Sequence, residues 1–188
     1  MLPPSYPEIA TAEHLTPLFR KHAGAIAHAA VDLQKRWLQK NGSTKIADYI
    51  VNDFAKALAD FAIRTYWIYK VEPGETWPDS NGGPFKVEIP EHDRTLIKPF
   101  YSAFRETDFD AMLEKNGTKV LILTGFKYLY CLLETARDAL NRGYQVVIPI
   151  DCTDYAWEDR ATRELFQMGA ILTTSRDLLD SLPSLSAP

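Results

Sequence analysis

The sequence predicts an α/β fold of three layers, α/β/α, built on an open, mostly parallel sheet of six strands. Three observations carry that prediction. Short apolar or β-branched runs alternate along the chain with stretches of helical periodicity. One stretch, Val120 to Ile150 (VLILTGFKYLYCLLETARDALNRGYQVVIPI), reads as a complete strand–helix–strand unit, which joins parallel strands by a right-handed crossover. A length of 188 residues with 46% hydrophobic and 24% charged content suits one domain with a sizeable core.

Residues 1–22 are proline-rich and then weakly helical, an arm expected to pack on the body or on a second subunit. AIAHAAV (Ala25 to Val31) is small and apolar and reads as a buried first strand, followed at once by Asp32. After a turn at Asn41-Gly42, with Ser43 as N-cap, an amphipathic helix runs to about Ala62 with Ile46, Tyr49, Ile50, Phe54, Leu58 and Phe61 on one face. RTYWIYKV (Arg64 to Val71) is the second strand by its β-branched and aromatic content. Glu72 to His92, rich in proline and glycine around Trp77, is the longest irregular segment and the expected pocket rim or lid. RTLIK (Arg94 to Lys98) is a short third strand, and a helix from about Phe109 precedes a turn at Asn116-Gly117.

Val120 to Thr124 form the fourth strand, ending at Gly125, and a helix from about Leu129 to Arg142 leads to the fifth, Gln145 to Ile150. At ~100° per residue Leu129, Leu132, Leu133, Ala136 and Leu140 make one apolar stripe, and Cys131 falls roughly opposite it, between Thr135 and Asp138. A further amphipathic helix, Asp154 to Gly169, a sixth strand, Ala170 to Thr174, and a last helix complete the pattern. The domain reading is therefore one unit over 1–188, with the arm at 1–22 and a frayed tail at 183–188.

Composition excludes several classes. A net charge of −4 gives no electrostatic basis for nucleic-acid or anionic-membrane binding. No run approaches the ~18 apolar residues of a membrane span, and MLPPSYPEIATAEHL lacks the basic and apolar regions of a secretory signal, so a cytoplasmic location is expected. Neither a G-x-G-x-x-G nor a P-loop follows any strand. Cys131 and Cys152 follow successive strands, but a structural disulfide is not expected in that setting.

Strand ends at one edge of a parallel sheet converge. That rule gathers Asp32 after the first strand, Lys98 at the end of the third and Cys131 in the helix after the fourth. The trio suits nucleophilic catalysis: an ammonium and a helix N-terminus stabilise a thiolate, and a carboxylate takes the thiol proton and returns it to a leaving amine. Backbone N–H groups of the turn Phe126 to Cys131 are candidates for an oxyanion hole. Each residue alone has an ordinary reading as well: a packing cysteine, a capping aspartate, a solvated lysine.

Three local sequences, in order, carry a resemblance to the isochorismatase-like cysteine hydrolase superfamily, which includes nicotinamidases and carbamoylsarcosine amidohydrolases. GFKYLYCLLETARDALNRGYQVVIPIDC is similar to its glycine, six-residue turn, cysteine, T-A-x-D-A and G-Y-x-V pattern. VDLQKRW (Val31 to Trp37) resembles its D-M-Q-x-x-F, and IKPFYSAFRET (Ile97 to Thr107) resembles the segment bearing its catalytic lysine. The resemblance spans about Ala25 to Leu179 and implies a Rossmann-like fold, a small-molecule substrate and a homo-oligomer. It implies Asp32 as general base, Lys98 as support for the thiolate and Cys131 as nucleophile, attacking an amide-type carbonyl to form a thioester. It also implies a cis peptide at Phe126-Lys127 beside the oxyanion hole formed by Phe126, Lys127 and Cys131.

The chain departs from the family's pattern in two segments. GFKYLYC replaces the usual G-V-x-T-[DEN]-x-C, so Tyr128 is expected to fill or reshape the pocket, whose aromatic lining is assigned to Trp37, Tyr101, Phe104, Tyr128 and Trp157. A diverged, non-catalytic member that binds a ligand or partner in the same crevice is the second reading this turn leaves open. The segment after the second strand contains only His92 where nicotinamidases carry an Asp and two His, so neither a metal nor another cofactor is expected. His92 beside Asp93 reads as a solvated loop pair and His28 as a hydrogen-bonded core residue. A cysteine at 131 also argues against isochorismatase proper, whose vinyl-ether hydrolysis uses the Asp and Lys alone. Cys152 is read as packing.

Overall fold

The computed structural model describes residues 8–38, 43–72, 74–75, 84–85, 89–154 and 160–182. Its strands are β1 (Ile26–Val31), β2 (Arg64–Lys70), β3 (Arg94–Lys98), β4 (Val120–Gly125), β5 (Gln145–Pro149) and β6 (Ile171–Thr173). They form one sheet in the order β3-β2-β1-β4-β5-β6, and every pairing is parallel. The chain starts in the middle of the sheet, builds outward to one side, then crosses back and builds to the other. The strand order reverses between β1 and β4, which opens a crevice beyond their carboxyl ends.

The central strands are apolar on both faces because both faces are covered. Ala27, Ala29, Val31, Leu121 and Leu123 face a core shared with α4 (Phe109–Lys115), α5 (Leu133–Asn141) and α6 (Arg160–Gln167). Ile26, Ala30, Val120 and Ile122 face a second core with α1 (Ala12–Lys21), α2 (Ser43–Tyr49), α3 (Ala55–Asp60) and α7 (Ser175–Ser181). The long helix expected from Ser43 to Ala62 is interrupted: a wider π turn, Ile50–Phe54, separates α2 from α3 while Ile50, Phe54 and Leu58 stay buried. The N-terminal arm packs on its own body, with Leu15 and Phe19 buried and Ala10 bonded to the edge strand β6 through Leu172 O and the Thr173 hydroxyl.

Strand boundaries follow the sequence pattern within a residue or two, apart from Ile150, which begins a 3-10 turn instead of ending β5. Most of the irregular rim around Trp77, the start of the helix expected from Asp154, Trp157, and the tail 183–188 lie outside the described residues.

Candidate active site

Three strand ends build the site. β1 and β4 lie side by side with Val31 opposite Gly125, and β2 and β3 pair Lys70 with Lys98. At the β1–β4 contact the backbones approach so closely that a Cβ on Gly125 would sit 2.0 Å from the carbonyl oxygen of Val31. Gly125 also has φ +115°, so both space and conformation require glycine there. Immediately after β1 the chain turns through Asp32 in a left-handed conformation, φ 56°, with its N–H donated to Ile68 O at 2.8 Å. This bend delivers the Asp32 side chain to the strand-end crevice.

There Asp32, Lys98 and Cys131 come together, all buried. The Lys98 ammonium lies 3.3 Å from Asp32 Oδ1 and donates to the carbonyls of Tyr101 (2.8 Å) and Phe100 (3.3 Å). Neither carboxylate oxygen of Asp32 accepts a well-formed hydrogen bond, which leaves a buried acceptor pair turned towards reacting groups. The thiol of Cys131 interacts with both partners, and its pKa is pushed up to about 12, first by burial, then by the Asp32 charge, with Lys98 opposing. Burial and the carboxylate outweigh the ammonium, which favours the protonated thiol over a standing thiolate.

The turn before the cysteine is shaped by a residue that the sequence pattern does not reveal. Lys127 is left-handed (φ 61°), and Tyr128–Leu132 form a turn of π-helix before α5. Asp154, beyond β5, accepts from the N–H of Lys127 at 3.0 Å and of Tyr128 at 2.7 Å. The Phe126 N–H donates to Val31 O at 2.9 Å. Of the three groups assigned to the oxyanion hole, the Phe126 and Lys127 amides are thus already bonded within the fold. Asp154→Ala is expected to lower stability by about 1–3 kcal/mol, since it orphans two amides bonded to a charged acceptor. Denaturant unfolding reads this directly, and an unchanged midpoint would show the turn holds itself.

The π turn also changes which faces the helix presents. One extra residue per turn rotates Leu129 and Tyr130 outward, about half exposed, and carries Cys131 inward beside buried Thr135. Leu129 therefore leaves the expected stripe, whereas Leu132, Leu133 and Ala136 keep it. The Thr135 hydroxyl donates to Cys131 O at 2.7 Å and accepts from the Ala103 N–H at 3.1 Å, and Ser102 donates to Asp138 at 2.5 Å. These bonds tie the turn that holds Lys98 to the helix that holds Cys131.

A cavity of about 300 Å³ opens over Cys131. Trp37 and Tyr101 line it as expected, joined by Lys70, Glu72, Lys127 and Tyr130. Phe104 and Tyr128 do not. Phe104 packs in the core against Phe109 and Tyr144, and the hydroxyl of the buried Tyr128 accepts a hydrogen bond from Thr162 of α6 at 3.1 Å. The large residue in the turn is absorbed by the core instead of filling the cavity. Lys127, Lys70 and Tyr130 escape a reading of the sequence because the π turn and the length of the lysine stems decide where those groups end.

No group of three or more His, Cys, Asp or Glu suited to a metal occurs among the described residues. At the end of β2 stands Lys70, whose ammonium pairs with Glu72 at 2.5 Å and lies 5.5 Å from the Tyr101 ring centroid. A cation fixed there opposes a metal ion at the cavity, so the described residues do not fit one. His92 pairs with Asp93 at 3.3 Å. His28 is held in the core between Thr65 (3.0 Å) and Thr124 (2.8 Å), neutral because burial drives its pKa down to about 3. Cys131 and Cys152 are both free thiols, and burial pushes that of Cys152 up as well.

The match that decides the family covers residues 27–177, from β1 into α7, and is to the isochorismatase domain. The chain belongs to the isochorismatase family. An isochorismatase-family protein of Bacillus subtilis, YaaI, is 40% identical over 67 residues, 36% of this chain and 37% of YaaI. Ureidoacrylate amidohydrolase RutB of Methylorubrum extorquens is 38% identical over 64 residues, 34% of this chain and 26% of RutB. The chain thus aligns with well under half the length of either relative. A cysteine hydrolase structure from Pseudomonas syringae pv. phaseolicola superposes over 98% of this chain and 100% of that one, with TM-score 0.74 at 18% identity, a likeness of fold. No described helix is long and apolar enough to cross a membrane.

Proposed function

We propose that this isochorismatase-family hydrolase cleaves the C–N bond of a small amide, imide or ureido compound through a thioester on Cys131. The observation that carries the reading is the buried Asp32 carboxylate, free of well-formed hydrogen bonds, meeting both the Lys98 ammonium and the Cys131 thiol. The amidohydrolase named among the relatives supports the bond class.

In this mechanism Cys131 Sγ attacks the carbonyl carbon while Asp32 takes the thiol proton, so the thiolate forms only as the new bond forms. Lys98 offsets the resting charge of Asp32 and stabilises the charge that passes to the sulfur and the developing oxyanion as Asp32 is neutralised, and the Cys131 end of the turn supplies the backbone donor. The tetrahedral adduct collapses as Asp32 returns the proton to the nitrogen, releasing ammonia or an amine. A water molecule deprotonated by Asp32 then attacks the thioester carbonyl, releasing the acid and restoring the thiol.

Ammonia release over a panel of small amides and ureido compounds tests the reading, and no release above blank from any of them would overturn it. The resting thiol gives a second test. Because its pKa is raised to about 12, alkylation of Cys131 by iodoacetamide is expected to be slow at pH 7–8 and to rise about tenfold per pH unit up to that value. A reaction that is fast at pH 7 and flat above pH 9 would mean a preformed thiolate and a different division of labour.

A further inference from the structure

Among the described residues, one ammonium at the cavity has no carboxylate partner for its side chain. Arg36 is held by Glu75 through two bonds, 2.9 and 3.0 Å, and Lys70 by Glu72. Beneath them Lys98 faces Asp32. Among the described residues each of these carboxylates has its own cation, and Lys127 is left over. Its ammonium meets no carboxylate or other acceptor among the described residues and rests 3.9 Å from the centroid of the Trp37 ring. The Trp37 indole N–H, a buried donor, has no acceptor among the described residues.

We infer that the cavity selects substrates bearing an anionic group, a carboxylate on a small flat body, and that Lys127 is the residue that specifies it. This inference rests on the hydrolase reading for the orientation of the substrate. The amide carbonyl lies at Cys131, the body lies among Trp37, Tyr101 and Tyr130, and the carboxylate meets the Lys127 ammonium. A cavity of about 300 Å³ restricts the body to roughly one ring or a chain of a few carbons. Lys70 contributes less, because Glu72 already neutralises it. Lys127 holds this place because its left-handed backbone, anchored by Asp154, directs the chain over the cavity mouth.

The test is calorimetric binding to the Cys131→Ala full-length chain of a matched pair, 4-carbamoylbenzoate and terephthalamide, identical except for carboxylate against carboxamide. The carboxylate is expected to bind at least about tenfold more tightly, with the preference shrinking as salt is raised. Adding Lys127→Met should abolish the preference, and Lys127→Arg should restore it. Equal binding of the pair, no binding of the carboxylate in the millimolar range, or a preference that survives Lys127→Met would overturn the inference. Binding is read without turnover, so the two readings fail separately. Lys127-dependent binding with no ammonia release from any amide would remove the hydrolase reading alone, and ammonia release with equal binding would remove the anion site alone.

Discussion

Conversion of Cys131 to serine is expected to lower ammonia release by about four to six orders of magnitude, and Asp32→Asn to do nearly as much. The two should not add, because they interrupt one event. A serine hydroxyl at 131 is a far poorer nucleophile than a thiolate, and a carboxamide in place of the Asp32 carboxylate cannot accept the proton that the buried thiol must lose. The two variants separate under alkylation. With the Asp32 charge gone, a cause holding the thiol above its ordinary range is removed, so Asp32→Asn should shift the iodoacetamide pH profile downward while abolishing turnover. If the profile stays in place, Asp32 is not the group facing the sulfur. If Cys131→Ser turns over at the wild-type rate, the nucleophile lies elsewhere.

Gly125→Ala is expected to cost about 2–6 kcal/mol, from backbone strain together with overpacking. That is a large part of the ~5–15 kcal/mol that a domain of this kind has in total. The new methyl would lie 2.0 Å from Val31 O, and neither central strand can retreat, since each is hydrogen-bonded on both sides. Gly143→Ala is the control. Gly143 also has positive φ (+86°) but no neighbour within 4 Å, so it carries the strain alone, about 1–2 kcal/mol. Thermal or denaturant unfolding of both variants reads the difference, and equal losses would mean that the β1–β4 approach is looser than the structure has it. A folded Gly125→Ala chain should also have displaced Asp32 from Cys131, so its residual turnover should fall more than its stability.

The comparison of these two glycines shows where sequence reading stops. Both stand at the end of an element, and both read as turn punctuation. Only the partner strand distinguishes them, because the carbonyl of Val31 is distant in the chain and adjacent in the sheet. Asp154 is the same case: nothing local marks it, yet its carboxylate fixes the Lys127 and Tyr128 amides. A large residue in the turn at 128 points to the cavity on sequence grounds. Tyr128 is instead taken up by the core against α6, where Thr162 bonds it.

The sequence by itself determined the six strands and their parallel sense, and the placement of Asp32, Lys98 and Cys131 near one edge. Apolar period and length identify a doubly covered strand, and a parallel sheet brings carboxyl ends to one side whatever the loops do. The tertiary structure alone decided the phase of the Cys131 turn, the upward direction in which its thiol's pKa moves, and which side chains line the cavity. One π turn puts Leu129, Tyr130 and Cys131 out of phase with the stripe of α5 that follows, and local residue preference does not record it. The thiol's protonation depends on burial and on the charge of Asp32, remote in the chain, and the cavity on the reach of Lys70 and Lys127 across neighbouring strands. These are sums over non-local contacts, and they exist only once the chain has folded.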